Sequence, residues 1–199
     1  MKLQHLSLVF LPFISLVSAS SSEQITMGSI HNPFVPEKHT HPTLSDLLTI
    51  EQSASIFYSY ARELELSKMF NDQNIKATLF VPTNKAVMSL ARKPHQGQGS
   101  GAILDDIHIT EDEYERKSRE NVERWVSAHI IPKFPINLDS NEHPTLLDGK
   151  SISFKPISKG DNKEPAWTRV TLNDGAHILS MKEASNGVLY LIDTAISPE

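Results

Sequence analysis

The stretch Thr78-Leu79-Phe80-Val81-Pro82-Thr83-Asn84-Lys85-Ala86-Val87 constrains this chain more than any other. Its first four residues follow Ile75-Lys76-Ala77 and are β-branched, aromatic or aliphatic, which suits a buried or half-buried strand. Pro82 ends the ladder, because it has no N–H to donate and it holds Val81 extended. Thr83 and Asn84 carry short side-chain oxygens that cap a first helical turn. Ala86, Val87 and Leu90 then follow at helical spacing. A strand therefore enters a helix through one corner with almost no loop, and two layers of a core are fixed against each other. The signal is architectural, not catalytic.

The N-terminus carries a different kind of signal. Lys2 precedes a mostly apolar run from Leu6 to Val17 that closes on the small residues Val17-Ser18-Ala19. A short positive region, an apolar stretch and a small-x-small site predict a secretory signal over residues 1–19, with a retained N-terminal anchor as the other reading. The run is short for a membrane span, and Pro12 interrupts it. The destination is then the secretory pathway, either the extracellular space or a vacuole lumen. That pathway permits disulfides, yet there is no cysteine, so stability has to come from a buried core. A chain of 199 residues with 39% hydrophobic residues can supply one. The sequence has no Asn-x-Ser/Thr glycosylation site, no C-terminal hydrophobic tail and no retention tetrapeptide, so no lipid or transmembrane anchor is expected. A net charge of −5 argues against nucleic acid as a partner.

Residues 20–42 are rich in Ser, Pro and His without a period and predict an irregular lead-in. Thr43-Leu44-Ser45-Asp46 has capping-box spacing and starts a helix whose buried side is Leu44, Leu47 and Leu48. A second helix is expected from about 53 to 64, with Phe57, Tyr60, Ala61 and Leu64 on one stripe, continued by Leu66, Met69 and Phe70. Residues 94–101 read as a surface loop with no side chains to bury, and 103–109 as a short extended piece. Thr110-Glu111-Asp112-Glu113 opens a long charged helix to about His129, with i, i+4 pairs Glu115–Arg119 and Glu120–Arg124 on its solvated face. Its apolar seam is Val122, Trp125, Val126 and His129. Beyond it come strand patterns at 151–154, 167–172, 176–181 and 188–193, with turns at Asn173-Asp174-Gly175 and Asn186-Gly187. About six strands with helices gathered in the first two-thirds predict an α+β fold.

Three stretches resemble one family. Thr78-Leu79-Phe80-Val81-Pro82-Thr83-Asn84-Lys85-Ala86 is similar to the first signature of fasciclin-type domains. Val126-Ser127-Ala128-His129-Ile130-Ile131-Pro132 resembles their central histidine motif. Asn186-Gly187-Val188-Leu189-Tyr190-Leu191-Ile192-Asp193 resembles the second signature, and order and spacing agree across 43–196. The single domain looks most like the small fungal members. The resemblance implies a wedge of twisted, sandwich-like strands flanked by helices over 43–199. It also implies a non-catalytic adhesion or matrix module, a monomer or weak oligomer, binding protein or polysaccharide. It makes Thr78, Phe80, Pro82, Thr83, Asn84, His129, Pro132, Asn186, Gly187 and Asp193 structural motif residues. Where animal members carry Tyr before the His, this chain has Ala128, so receptor binding by a Tyr-His pair does not transfer. Residues 91–101 look like a lengthened insertion.

No catalytic residue, cofactor or metal site is nominated. His129 as a general base would need a partner nucleophile or carboxylate, and none stands out. As a buried imidazole it would hydrogen-bond the strand–helix corner, with Thr83 or Asn84 as the expected partner. His31, His39 and His41 form a cluster without a rigid element to set metal geometry. The acidic residues at 105–106 and 111–113 lack calcium-loop spacing. Hydrolase, zinc-protease, Walker and dinucleotide motifs are missing, and thiol nucleophiles are excluded. The alternative to adhesion is a carrier of a lipid-like small molecule, with a pocket between helices and sheet.

Overall fold

The helix-start signals are met first along the chain. Leu44–Ile50 forms helix α1 behind a complete capping box, in which Thr43 Oγ1 accepts from Asp46 N and Thr43 N donates back to the Asp46 carboxylate. The protein is described by a computed structural model over residues 41–97, 110–157 and 165–199. The signal over 1–19, nearly all of the lead-in, His31, His39 and the extended piece at 103–109 lie outside these residues. The chain clusters into two units, Met1–Glu37 and Lys38–Glu199, and the second carries the fold.

The second helix does not run unbroken from 53 to 64. Gln52–Ala54 is a 3₁₀ turn, α2 spans Ser55–Ala61, and a second 3₁₀ segment covers Glu65–Phe70. Leu64 between them is extended (φ −99°, ψ 148°). That step lets Phe57, Ala61, Leu64 and Phe70 all reach the core, so tertiary packing overrides the single 3.6-residue stripe. Strand β1 (Ala77–Pro82) enters helix α3 (Asn84–Met88) through Thr83. Helix α4 spans Glu111–Ser127 and stops two residues before His129. Its hydrogen-bonded ion pair is Arg116–Glu120 (3.0 Å), which takes Glu120 away from the expected partner Arg124.

Among the described residues there are eight strands rather than about six, because several are very short, and seven of them follow α4. They are β2 (Ile130–Ile131), β3 (His143–Pro144), β4 (Ser151–Ile152), β5 (Phe154–Pro156), β6 (Val170–Leu172), β7 (Ile178–Ala184) and β8 (Gly187–Ile192). The alternation at 167–172 is only half strand. Ala166–Arg169 is a 3₁₀ turn, held by Thr168 Oγ1 and Thr168 N on the Pro165 carbonyl.

The main sheet has the order β2-β1-β8-β7. β1 and β8 run parallel from Ala77–Gly187 to Pro82–Ile192, and the outer pairs are antiparallel. Both central strands are buried throughout, which explains their nearly continuous apolar sequences. Their period-two alternation splits them between two cores. Ala77, Leu79, Val81, Leu189 and Leu191 face the helices with Leu44, Leu48, Phe57 and Val126. Phe80, Val188, Tyr190 and Ile192 face the β3–β4 and β5–β6 ladders with Ile152, Phe154 and Leu172. Phe80 stacks on Tyr190 (5.3 Å, 14°) and meets Phe154 at 5.7 Å. Burying one such ring contributes about 2–3 kcal/mol. The fold is α+β, with the main sheet between a helical layer and small antiparallel ladders.

Candidate functional site

The strand–helix corner is assembled from backbone demands. Pro82 has no N–H for β8, and the pairing closes one residue later through Thr83 N on Ile192 O (3.0 Å). Thr83 Oγ1 then accepts from Ala86 N (3.1 Å) and caps α3. Asn84 serves a different helix. The residue before α2, Ala54, has no side-chain oxygen to cap it. Asn84 Oδ1 accepts from Ile56 N (2.9 Å) in its place, while Nδ2 donates to Gln52 O (2.9 Å) and Ser55 Oγ (3.1 Å). Thr78 Oγ1 donates to Lys133 O (2.8 Å), tying β1 to the chain just past the exposed Pro132.

His129 is fully buried, but its ring does not bond Thr83 or Asn84 as the sequence suggests, because both are occupied by helix ends. Nδ1 donates to Trp125 O (2.7 Å), and Nε2 accepts from Ile196 N (3.0 Å). A carbonyl can only accept and an amide N–H can only donate, so the partners fix a neutral Nδ1–H imidazole. Its pKa is lowered to about 4, chiefly by burial; the bond to the Trp125 carbonyl opposes that shift and the nearby Lys150 charge adds to it. Trp125 and Phe57 pack around the ring at 4.8 and 5.5 Å. The lone pair a general base needs is already engaged. The corner takes up His129 through the main chain instead, by Phe80 N on His129 O (2.9 Å).

Asn186 is buried in the turn between β7 and β8 and bonds far beyond it. Oδ1 accepts from Leu44 N (2.8 Å) at the start of α1, and Nδ2 donates to Phe70 O (3.0 Å) and Asp72 O (3.1 Å). Gly187 brings the turn against β1 so closely that a Cβ would lie 1.9 Å from Ala77 O. Asp193 closes β8 by accepting from His177 N (2.8 Å) and facing His177 Nδ1 at 3.1 Å. Thr83, Asn84, His129 and Asn186 are thus each engaged with main-chain groups of other segments or of their own helix. They are spread through the fold, and none of the four lines the cleft beside α4. Among the described residues there is no group of three His, Cys, Asp or Glu that could hold a metal ion.

A concave feature lies elsewhere. A cleft of about 520 Å³ opens between the segment 90–97, the C-terminal half of α4 and residues 195–199. Its lining includes Arg92, Lys93, Arg124, Asn121, Pro94 and Trp125. Residues 94–101 were expected to bury nothing, yet Pro94 is buried and His95 meets Tyr60 OH at 3.3 Å. Asn121 Nδ2 holds this turn on α4 through His95 O (3.2 Å). The sequence signal for the cleft was the basic pair Arg92-Lys93 beside a proline; Arg124, far away in sequence, had none. The space between helices and main sheet, expected to hold a carrier's pocket, is filled by Leu44, Leu48, Phe57, Leu79 and Val126.

Three comparisons with known proteins bear on this architecture. The profile of the fasciclin domain family matches residues 52–198. A FAS1 domain-containing protein of Aspergillus fumigatus is 32% identical over 122 residues, covering 60% of this chain and 50% of that protein. Another from Emericella nidulans is 26% identical, with 80% and 63% covered. The FAS1 domain-containing protein mug57 of Schizosaccharomyces pombe is 25% identical over 190 residues, covering 93% of this chain and 88% of its own length. The chain thus spans between half and two-thirds of the Aspergillus and Emericella relatives. Among solved structures, a FAS1 domain pair from the insect cell adhesion molecule Fasciclin I is similar over 72% of this chain and 45% of its own, at 16% identity and a TM-score of 0.45. With the profile matched over most of its length, the chain belongs to the fasciclin domain family.

Proposed function

We propose that this protein is a non-catalytic interaction module of the secretory pathway that attaches to protein or polysaccharide at a cell surface, a matrix or a vacuole lumen. The observation that carries the reading is the use of the polar motif residues. Both ring nitrogens of His129 are engaged by main-chain groups, and Asn84 and Asn186 spend most of their hydrogen bonds on the main chain, so these polar side chains serve the fold. A domain so built works by presenting surface, as family membership also suggests. Residues 1–19 act as the secretory signal, 20–42 as a lead-in and 43–199 as the module. Among the described residues no helix is long and apolar enough to cross a membrane.

Two assays test the proposal. A fluorescently tagged full-length chain is expected in the secretory pathway, and its processed form is expected to begin near Ser20; a cytosolic, unprocessed product would overturn the localisation. Purified protein is expected to be retained on fungal wall fragments and released by competing wall polysaccharide or protein extract. Absence of retention would overturn the attachment role.

A further inference from the structure

The cleft beside α4 is charged opposite to the rest of the molecule. The chain carries a net charge of −5, yet Arg92, Lys93 and Arg124 all line this one concavity. Among the described residues, Glu199 is the one acidic residue in the lining, and its main-chain oxygen takes Lys150 Nζ at 2.7 Å. Among the described residues, neither Arg92 nor Arg124 has an ion-pair partner, whereas Arg62, Arg116, Lys68 and Lys182 each face a carboxylate. The three cations outnumber the Glu199 carboxylate, and low-dielectric walls focus their field into the cleft.

The rest of the lining narrows the chemistry. Leu90, Pro94 and Trp125 offer apolar surface, while the Asn121 amide and Ser197 hydroxyl offer hydrogen bonds. The bond from Asn121 to His95 O sets one wall before any ligand arrives, which lowers the ordering cost of binding. A volume of about 520 Å³ fits a compact small-molecule body or a short piece of a chain molecule. An acidic sugar combines the required parts: an anionic group for the guanidinium forks, hydroxyls for the amide, and a C–H face for the apolar floor.

We propose that this cleft binds an acidic sugar residue, carrying a carboxylate or a sulfate, within a polysaccharide. The inference rests on the attachment role above and names the ligand class for it. Calorimetry on the full-length chain tests it with a galacturonate trisaccharide, a sulfated galactose trisaccharide, neutral galactotriose and sodium sulfate. Binding of at least one acidic trisaccharide is expected, weakened at high salt, and reduced at least tenfold in the triple variant R92Q/K93Q/R124Q. The same variant should keep its melting temperature to within a few degrees, because Arg92 and Arg124 are exposed and the half-buried Lys93 gives up one bond, to Met88 O. Three results would overturn the inference: no binding of either acidic trisaccharide, equal binding by the triple variant, or sulfate alone binding as tightly as the sugars. Wall-fragment retention separates the two claims. If wild type and triple variant are retained equally, the cleft assignment falls and the attachment role stands; if wild type is not retained, the attachment role falls.

Discussion

Asn186 shows how much one amide can hold. Replacing it by Ala leaves the buried Leu44 N–H and Phe70 carbonyl without their partner, while the Asp72 carbonyl keeps a bond from Ile75 N (3.4 Å). Unpaired buried groups cost about 1–3 kcal/mol each, partly relieved by relaxation. Asn186→Ala is therefore expected to lower the unfolding free energy by about 3 kcal/mol in a denaturant titration, with the slope unchanged. Gly187→Ala meets a harder obstacle, since the new methyl would collide with the Ala77 carbonyl of a buried strand. That variant is expected to lose most of its soluble folded yield, judged by near-ultraviolet circular dichroism. From sequence, Asn186-Gly187 was legible as a turn. Its partners, 142 and 116 residues away, were not, because a turn propensity reports local dihedrals and says nothing of distant hydrogen bonds. Asn84 gives the same lesson: the residue type announced a cap, but the helix it caps is α2 rather than its own.

At the scale of elements, the strand–helix corner, the capping box at Thr43 and the Thr110 side-chain cap on Glu113 N were readable because each depends on a few adjacent residues. Thr83→Ala should remove the α3 cap at a cost of about 1 kcal/mol, measured by thermal or urea unfolding; no change would mean the hydroxyl is replaced by water without loss. The parallel pairing of β1 with β8 was not legible. It joins residues 77–82 to 187–192, and nothing in either strand names the other. Short ladders such as β3–β4 lie below the length at which alternation can be recognised. The break at Leu64 and the 3₁₀ turn at Ala166–Arg169 are cases where packing and a proline carbonyl outweighed periodicity. The ion pairs on α4 were misassigned for a different reason. Exposed pairs are worth only about 0.5 kcal/mol, so several pairings are nearly equal. The outcome matters, since pairing Glu120 with Arg116 leaves Arg124 for the cleft.

For the whole molecule, His129 joins α4 to the C-terminal segment, and its titration links that joint to pH. In the unfolded chain the imidazole takes a proton near 6.5, and in the fold only near 4. Between these values the unfolded state binds more protons, so stability is full above about pH 6.5 and falls as pH drops toward 4. At about 1.4 kcal/mol per pH unit the loss is about 3 kcal/mol. Glu51, whose hydrogen bonds to Lys182 and Ser53 hold its pKa below the usual 4.5, weakens the fold only in more acid solution. A His129→Gln variant should be less stable at pH 7 and nearly flat across this window. The central claim is that the motif's polar groups serve the main chain, and nitrogen-detected NMR of the His129 ring across pH tests it most directly. The account predicts a single Nδ1–H tautomer with unprotonated Nε2, persisting until about pH 4. A ring that titrates near 6.5, or that carries its proton on Nε2, would contradict it.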